Sequence, residues 1–175
     1  MILNARLKSL GVCIAVAISS PLLMGVQDRT SNFDNRILAA QNRERSEIGV
    51  APLVWSDELK SSAQSWANHL AATGALENAY DDSTDPQGEN LWEGTRGYYT
   101  PEAMVDRWVE EKRFFQQGAF PDNSTTHKIS DVGLYTQVVW RNTGSVGCAK
   151  ATGQRHDVLV CRYKNAGNYE GQKPF

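Results

Sequence analysis

Few residues in this chain have types and spacing suited to chemistry, and two cysteines are the clearest case. Cys148 and Cys161 lie equally far from the centre of a Gly153-Gln154-Arg155-His156 loop. Residues 146–151 before the loop and 157–163 after it carry the pattern of paired strands, so the segment reads as a β-hairpin. A symmetric hairpin sets the two cysteines opposite each other on one face, within reach of a cross-strand disulfide. Two reduced, buried thiols are the alternative. Closing so short a loop adds about 2–3 kcal/mol on the loop-entropy model. No Cys-x-x-Cys is present, so the pair is a staple and not a redox centre. Once it is oxidised no thiol nucleophile remains, and no Gly-x-Ser-x-Gly elbow offers a serine instead. The three histidines, the groups that titrate near neutrality, fall on a helical stretch (His69), in a loop (His127) and in the hairpin turn (His156). Residues 88–94 are too poor in glycine and too acidic to cradle phosphate.

The compartment follows from the first residues. Arg6 and Lys8 precede a run over 10–26 that is almost wholly apolar, broken only by Ser19, Ser20 and Pro21. That is the pattern of a secretory signal peptide. The expected division is a signal over 1–27, cut loosely between Ala17 and Asp28, and one domain over 28–175. An uncleaved anchor is the alternative, since the run is near the lower length limit for crossing a bilayer. Cys13 does not mark a lipoprotein signal: little apolar chain precedes it, and Val12 is bulky where a small residue is expected. The expected location is secreted, extracellular or periplasmic, where disulfides persist, with no membrane span after cleavage. Net charge is −2 and the basic residues are scattered among acids, so no nucleic-acid partner is expected. The densest cluster, 43–47, alternates in sign and reads as a solvated helix face.

These residues need elements to hold them. Phe33, Ile37, Leu38 and Ile48 share a helical stripe, which predicts a first helix over 33–46. Ser56 is a cap for a second helix, with Leu59, Ala63, Trp66 and Leu70 at spacings of three or four and Gly74 as its stop. Thr100-Pro101-Glu102 starts a third: a capping threonine, proline at the first helical position and an acid near the positive end of the dipole. Glu111 follows Trp108 by three residues and falls near the same buried stripe. From Gly133 onward alternation predicts strands, with Leu134, Thr136, Val138 and Trp140 on one face. Helices over an antiparallel sheet imply an α+β fold, a three-layer α-β-α sandwich.

The run Gly133-Leu134-Tyr135-Thr136-Gln137-Val138-Val139-Trp140 closely resembles the first signature of the CAP superfamily, the cysteine-rich secretory, antigen 5 and pathogenesis-related proteins with their SCP domain. Val158-Leu159-Val160-Cys161-Arg162-Tyr163-Lys164-Asn165-Ala166-Gly167-Asn168-Tyr169 resembles the second, with Asn165 as its one departure. Gly88-Glu89-Asn90-Leu91, Trp108-Val109-Glu110-Glu111 and the Gly171-Gln172-Lys173-Pro174 tail are similar to further family motifs in the same order. The resemblance implies the α-β-α sandwich already read from the elements.

It also implies a cavity site. Many members hold two histidines and two glutamates around a solvent-filled cavity, and some bind zinc there. The acids correspond to Glu89 and Glu111, with Glu110 as an alternative one step away. Leu134 stands where the first signature has histidine, and Asn78 stands at the other histidine position. Zinc prefers several nitrogen and sulfur ligands; an amide, two carboxylates and a leucine are a hard, incomplete set. No metal or other cofactor is therefore expected. Two glutamates alone divide acid and base roles only if burial raises one pKa. The aromatic segment 113–121, with Phe114, Phe115 and Phe120, lines a groove for a lipid or packs into the core. The leading expectation is a non-catalytic binding module for a lipid or other small apolar ligand at Asn78, Glu89, Glu111 and Leu134. The alternatives are a metal-dependent hydrolase or protease and a module that binds a cell-surface protein.

Overall fold

Three helices lie where the sequence places them, and side-chain caps start two of them. In the computed structural model, which describes residues 32–80 and 84–175, α1 spans Phe33–Glu47. Helix α2, Asp57–Thr73, begins at Ser56, whose hydroxyl accepts from the Leu59 N–H, and ends at Gly74 with φ 73°. Helix α3, Pro101–Val109, begins at Thr100, which accepts from the Ala103 N–H. A 3₁₀ turn, Glu110–Phe114, continues it. The expected signal over 1–27 lies outside the described residues. Among those described, no helix is long and apolar enough to cross a membrane.

Four strands form one sheet in the order β1-β3-β4-β2. They are β1 (Val54–Trp55), β2 (Gly88–Thr95), β3 (Ser145–Thr152) and β4 (His156–Lys164). The long pairs β3–β4 and β2–β4 are antiparallel; only the two-residue β1 runs parallel, beside β3. Period-two alternation divides β4 between two cores. Val158 and Val160 pack toward α2 with Ala63, Ala67, Leu70, Ala149 and Ala151. Leu159, Cys161 and Tyr163 face the opposite side with Ile37, Met104, Trp108 and Val138. Ile37, Leu70, Met104 and Leu159 are fully buried, each worth about 1.5–3 kcal/mol relative to exposure. The result is the expected three-layer sandwich, α2 on one face and α1, α3 and a short fourth helix on the other. At Gly147 an added Cβ would come within 2.1 Å of the Lys60 backbone nitrogen, so α2 lies tight on the sheet only because that side chain is missing.

The hairpin registers as its symmetry predicts. Cys148 pairs opposite Cys161 and the two are bonded. The buried Gln41 amide lies 3.8 and 4.0 Å from their sulfurs and accepts from the Tyr163 hydroxyl.

Two expectations are corrected. Residues 133–138 are not a strand but a helix, α4 (Gly133–Val138). Their alternation is β-like, but neighbours supply partners that only a helix can use. Glu111 takes the N–H groups of Leu134 and Tyr135 at 2.8 and 3.0 Å. Thr136 Oγ1 donates back to the Val132 carbonyl. Nor is 43–47 a solvated face throughout: Arg45 is fully buried. Its guanidinium donates to the carbonyls of Ala51, Val138, Trp140 and Thr143 at 2.7–3.0 Å, which supports the C-terminal end of α4. Burial pulls its pKa down to about 10, so it stays charged at neutral pH.

Candidate functional site

Glu89 is the second residue of β2 and pairs in register with Arg162 of β4. Alternation sends Glu89 to the α2 side with Leu91, while Asn90 and Trp92 face α3 and α4. The loop after α2 folds back to meet it, pinned by Trp66 Nε1 donating to the Glu77 carbonyl at 3.0 Å. Glu89 Oε1 then accepts from Asn78 Nδ2 at 2.8 Å and from the Ala79 N–H at 3.0 Å. Arg162 Nη2 lies 3.0 Å from Glu89 Oε2. Its direction is too poor for a hydrogen bond, so Oε2 and Arg162 Nε are both buried without a hydrogen-bond partner. The contact is therefore electrostatic. Burial raises the Glu89 pKa; Arg162 and the two hydrogen bonds oppose it.

Glu111 sits on the 3₁₀ turn after α3 and points inward, its Oε2 taken by the first turn of α4. Burial raises its pKa against those two N–H bonds, with Asp131 adding to the rise. The neighbouring Glu110 turns outward and pairs with Arg107 at 2.8 Å. Leu134 packs its side chain against the main core. Its carbonyl accepts from Asn90 Nδ2 at 2.9 Å.

The four sequence candidates therefore form two pairs, Asn78 with Glu89 and Glu111 with Leu134, linked through Asn90. Among the described residues, no three His, Cys, Asp or Glu groups gather as a metal site. The donor set does not fit the zinc implied by the family resemblance. Leu134 offers no ligand atom, Glu111 is committed to backbone N–H groups, and Glu89 carries a counter-cation in Arg162. His69 stacks on Trp66, His127 is exposed, and His156 lies 3.5 Å from Glu93 in the hairpin turn; none replaces the missing imidazoles.

Beside Glu89 lies a pocket of about 510 Å³. Ser62 of α2, Asn78, Tyr80, Asp85 and Gln87 of the connecting loop, and Glu89 and Arg162 of the sheet line it, with Ala79. Only Ala79 lacks a polar side chain. Asp85 pairs with Lys164 at the rim. Arg162 and Gln87 were not singled out by sequence. The signal was there for Arg162: a charged residue continues the Val158, Val160 face just past the apolar centre of β4. Gln87 gave none. In the aromatic segment 113–121, Phe115 packs on Tyr135 and Phe175 and Phe120 on Trp140, while Phe114 lies under the Arg113 guanidinium.

Comparison with known proteins agrees with this architecture. The model of the cysteine-rich secretory protein family (CAP) matches residues 38–163. The chain is 36% identical over 148 residues to pathogenesis-related protein 1A of Nicotiana tabacum, covering 84% of this chain and 83% of that one. It is 34% identical over 163 residues to pathogenesis-related protein 1 of Arabidopsis thaliana, covering 93% of each. Solved structures share the fold at lower identity. BmVAL-1 superposes with a TM-score of 0.66 at 21% identity, over 89% of this chain and 85% of that one. NaASP2, solved with Zn2+, gives 0.68 at 18%, over 89% and 88%. The chain belongs to the CAP family, in its pathogenesis-related 1 branch.

Proposed function

We propose that this protein is an exported, non-catalytic binding module whose ligand occupies the pocket beside Glu89. The observation that carries the reading is that each acid has one carboxylate oxygen tied to the protein itself. Glu89 Oε1 is held by Asn78 and Ala79, and Glu111 Oε2 caps α4. A general acid or base exchanges a proton with its substrate; Glu111 Oε2 is taken by backbone N–H groups, and Glu89 Oε2, though without a hydrogen bond, lies 3.0 Å from the Arg162 cation, which opposes its taking up a proton. The lining moves the ligand away from the apolar class expected from sequence. A pocket walled by Asn78, Gln87, Glu89 and Arg162 favours a polar molecule, since an apolar one would leave those groups without partners. Export is supported by the Cys148–Cys161 bond, which persists in oxidising compartments.

Native mass spectrometry of protein purified without chelators from its own host tests the reading. A reproducible added mass from a small organic molecule is the expected result. A bare mass in every preparation would remove the binding module. So would a hydrolytic activity that Glu89→Ala abolishes, which would restore the metal-dependent hydrolase.

A further inference from the structure

We propose that the pocket beside Glu89 takes a neutral carbohydrate; the proposal rests on the binding reading above. The unpartnered atoms in its wall set the chemistry. Gln87 Oε1, Glu89 Oε2 and Arg162 Nε are buried without hydrogen bonds, and all three side chains line the pocket. Two are acceptors and one is a donor. A fully deprotonated anion such as sulfate accepts only, so it satisfies Arg162 and leaves Gln87 and Glu89 unmet. An ammonium donates only, and fails at Arg162. A hydroxyl group donates and accepts at once. One hydroxyl beside this ion pair answers both unmet atoms, accepting from Arg162 Nε and donating to Glu89 Oε2. Vicinal hydroxyls on a sugar ring repeat that pattern for Gln87 and Asn78.

The rim adds a second feature. Tyr80 lines the same pocket with 96% of its surface exposed. An aromatic face left in water beside a polar pocket suits the C–H face of a pyranose, which is apolar between its equatorial hydroxyls. A peptide amide also donates and accepts, but it has no such face for Tyr80. The volume, about 510 Å³, lies within the usual range for small-molecule sites.

The test presents the exported protein to an array of neutral oligosaccharides, acidic oligosaccharides and short peptides, followed by calorimetry on the best glycan. Wild type is expected to bind at least one neutral oligosaccharide. Tyr80→Ala, at an exposed position where folding is not at stake, should weaken that binding roughly tenfold, and Tyr80→Phe should retain it. Binding confined to acidic glycans or to peptides would overturn the assignment, as would Tyr80→Ala binding like wild type. If no array member binds but the host-purified protein carries a small non-carbohydrate ligand, the sugar falls and the binding module stands. If the mass is bare as well, both fall.

Discussion

Glu111 and Arg45 hold opposite ends of the same six-residue helix. Glu111 Oε2 accepts from the first free N–H groups of α4, at Leu134 and Tyr135. Arg45 Nη1 donates to the carbonyls of Val138 and Trp140 at its far end. The acid lies at the positive end of the helix dipole and the base at the negative end, the favourable sense for both. A helix this short is not stable by itself, so its existence depends on residues far away in sequence.

Removing the acid should loosen α4. Glu111→Ala leaves two half-buried N–H groups without a partner, and about 1–3 kcal/mol of stability is the expected loss. Glu111→Gln keeps an acceptor oxygen and should lose less. Urea unfolding checks this: the midpoint should fall with an unchanged slope. A midpoint equal to wild type in Glu111→Ala would assign the capping of α4 to something else.

Arg45 should be the costlier residue. Arg45→Met removes the donors to four backbone carbonyls, and at least about 3 kcal/mol is expected when several buried acceptors lose their partners together. Arg45→Lys should rescue little, because one ammonium does not span the positions that a guanidinium fork reaches. Thermal unfolding of the two variants side by side decides it; full rescue by lysine would refute the fork.

Acid sensitivity has an assignable source in Glu102. Its hydrogen bonds from Arg36, at 2.7 and 2.6 Å, hold the carboxyl down to about 2 from 4.5. Between those values the unfolded chain binds more protons than the folded one, so this stabilisation is present above pH 4.5 and is lost as pH falls toward 2. Both side chains are about a third exposed, and screening limits the pair to about 1 kcal/mol at most. Glu89 and Glu111 run the other way: with folded pKa values raised by burial, their contribution is present below 4.5 and lost as pH rises. The difference in stability between wild type and Glu102→Gln, followed by denaturant titration from pH 6 to 2, should shrink steadily with acid. A constant difference would show that Arg36 does not govern this carboxyl.

The disulfide should act as a staple. Replacing both Cys148 and Cys161 by alanine is expected to cost about 2–3 kcal/mol through the freedom regained by the unfolded chain. The fold itself should survive, because the β2–β4 and β3–β4 ladders do not depend on it. Circular dichroism for structure, with thermal melts for stability, separates the two. An unfolded double variant would make the bond essential and not additional.

Some of this molecule was legible residue by residue. Ser56, Gly74 and the Thr100-Pro101 start act within one turn of chain, and local chemistry of that range needs no knowledge of the rest. The hairpin was legible because its symmetry fixes the register of Cys148 and Cys161. The family followed from motifs in order along the chain. Asn78 and Leu134 stood out because imidazoles were expected in their place, and the structure puts no other histidine beside Glu89 or Glu111.

What pattern alone misjudged were positions where a distant group overrules the local preference. Leu134 to Val138 alternate like a strand, but Glu111 and Arg45 stabilise a helix there by satisfying its ends. Arg45 looks solvated among its charged neighbours until α4 presents carbonyls to it. Glu89 and Arg162 are 73 positions apart and meet only through the register of β2 on β4, and no spacing along the chain encodes that register. The sequence by itself determined both ends of α2, the start of α3, the hairpin and the family, because each rests on neighbours in the chain. Only the tertiary structure decided which polar groups are buried, which acids are committed and which atoms are left without partners, because burial and hydrogen bonding depend on what the rest of the chain brings alongside.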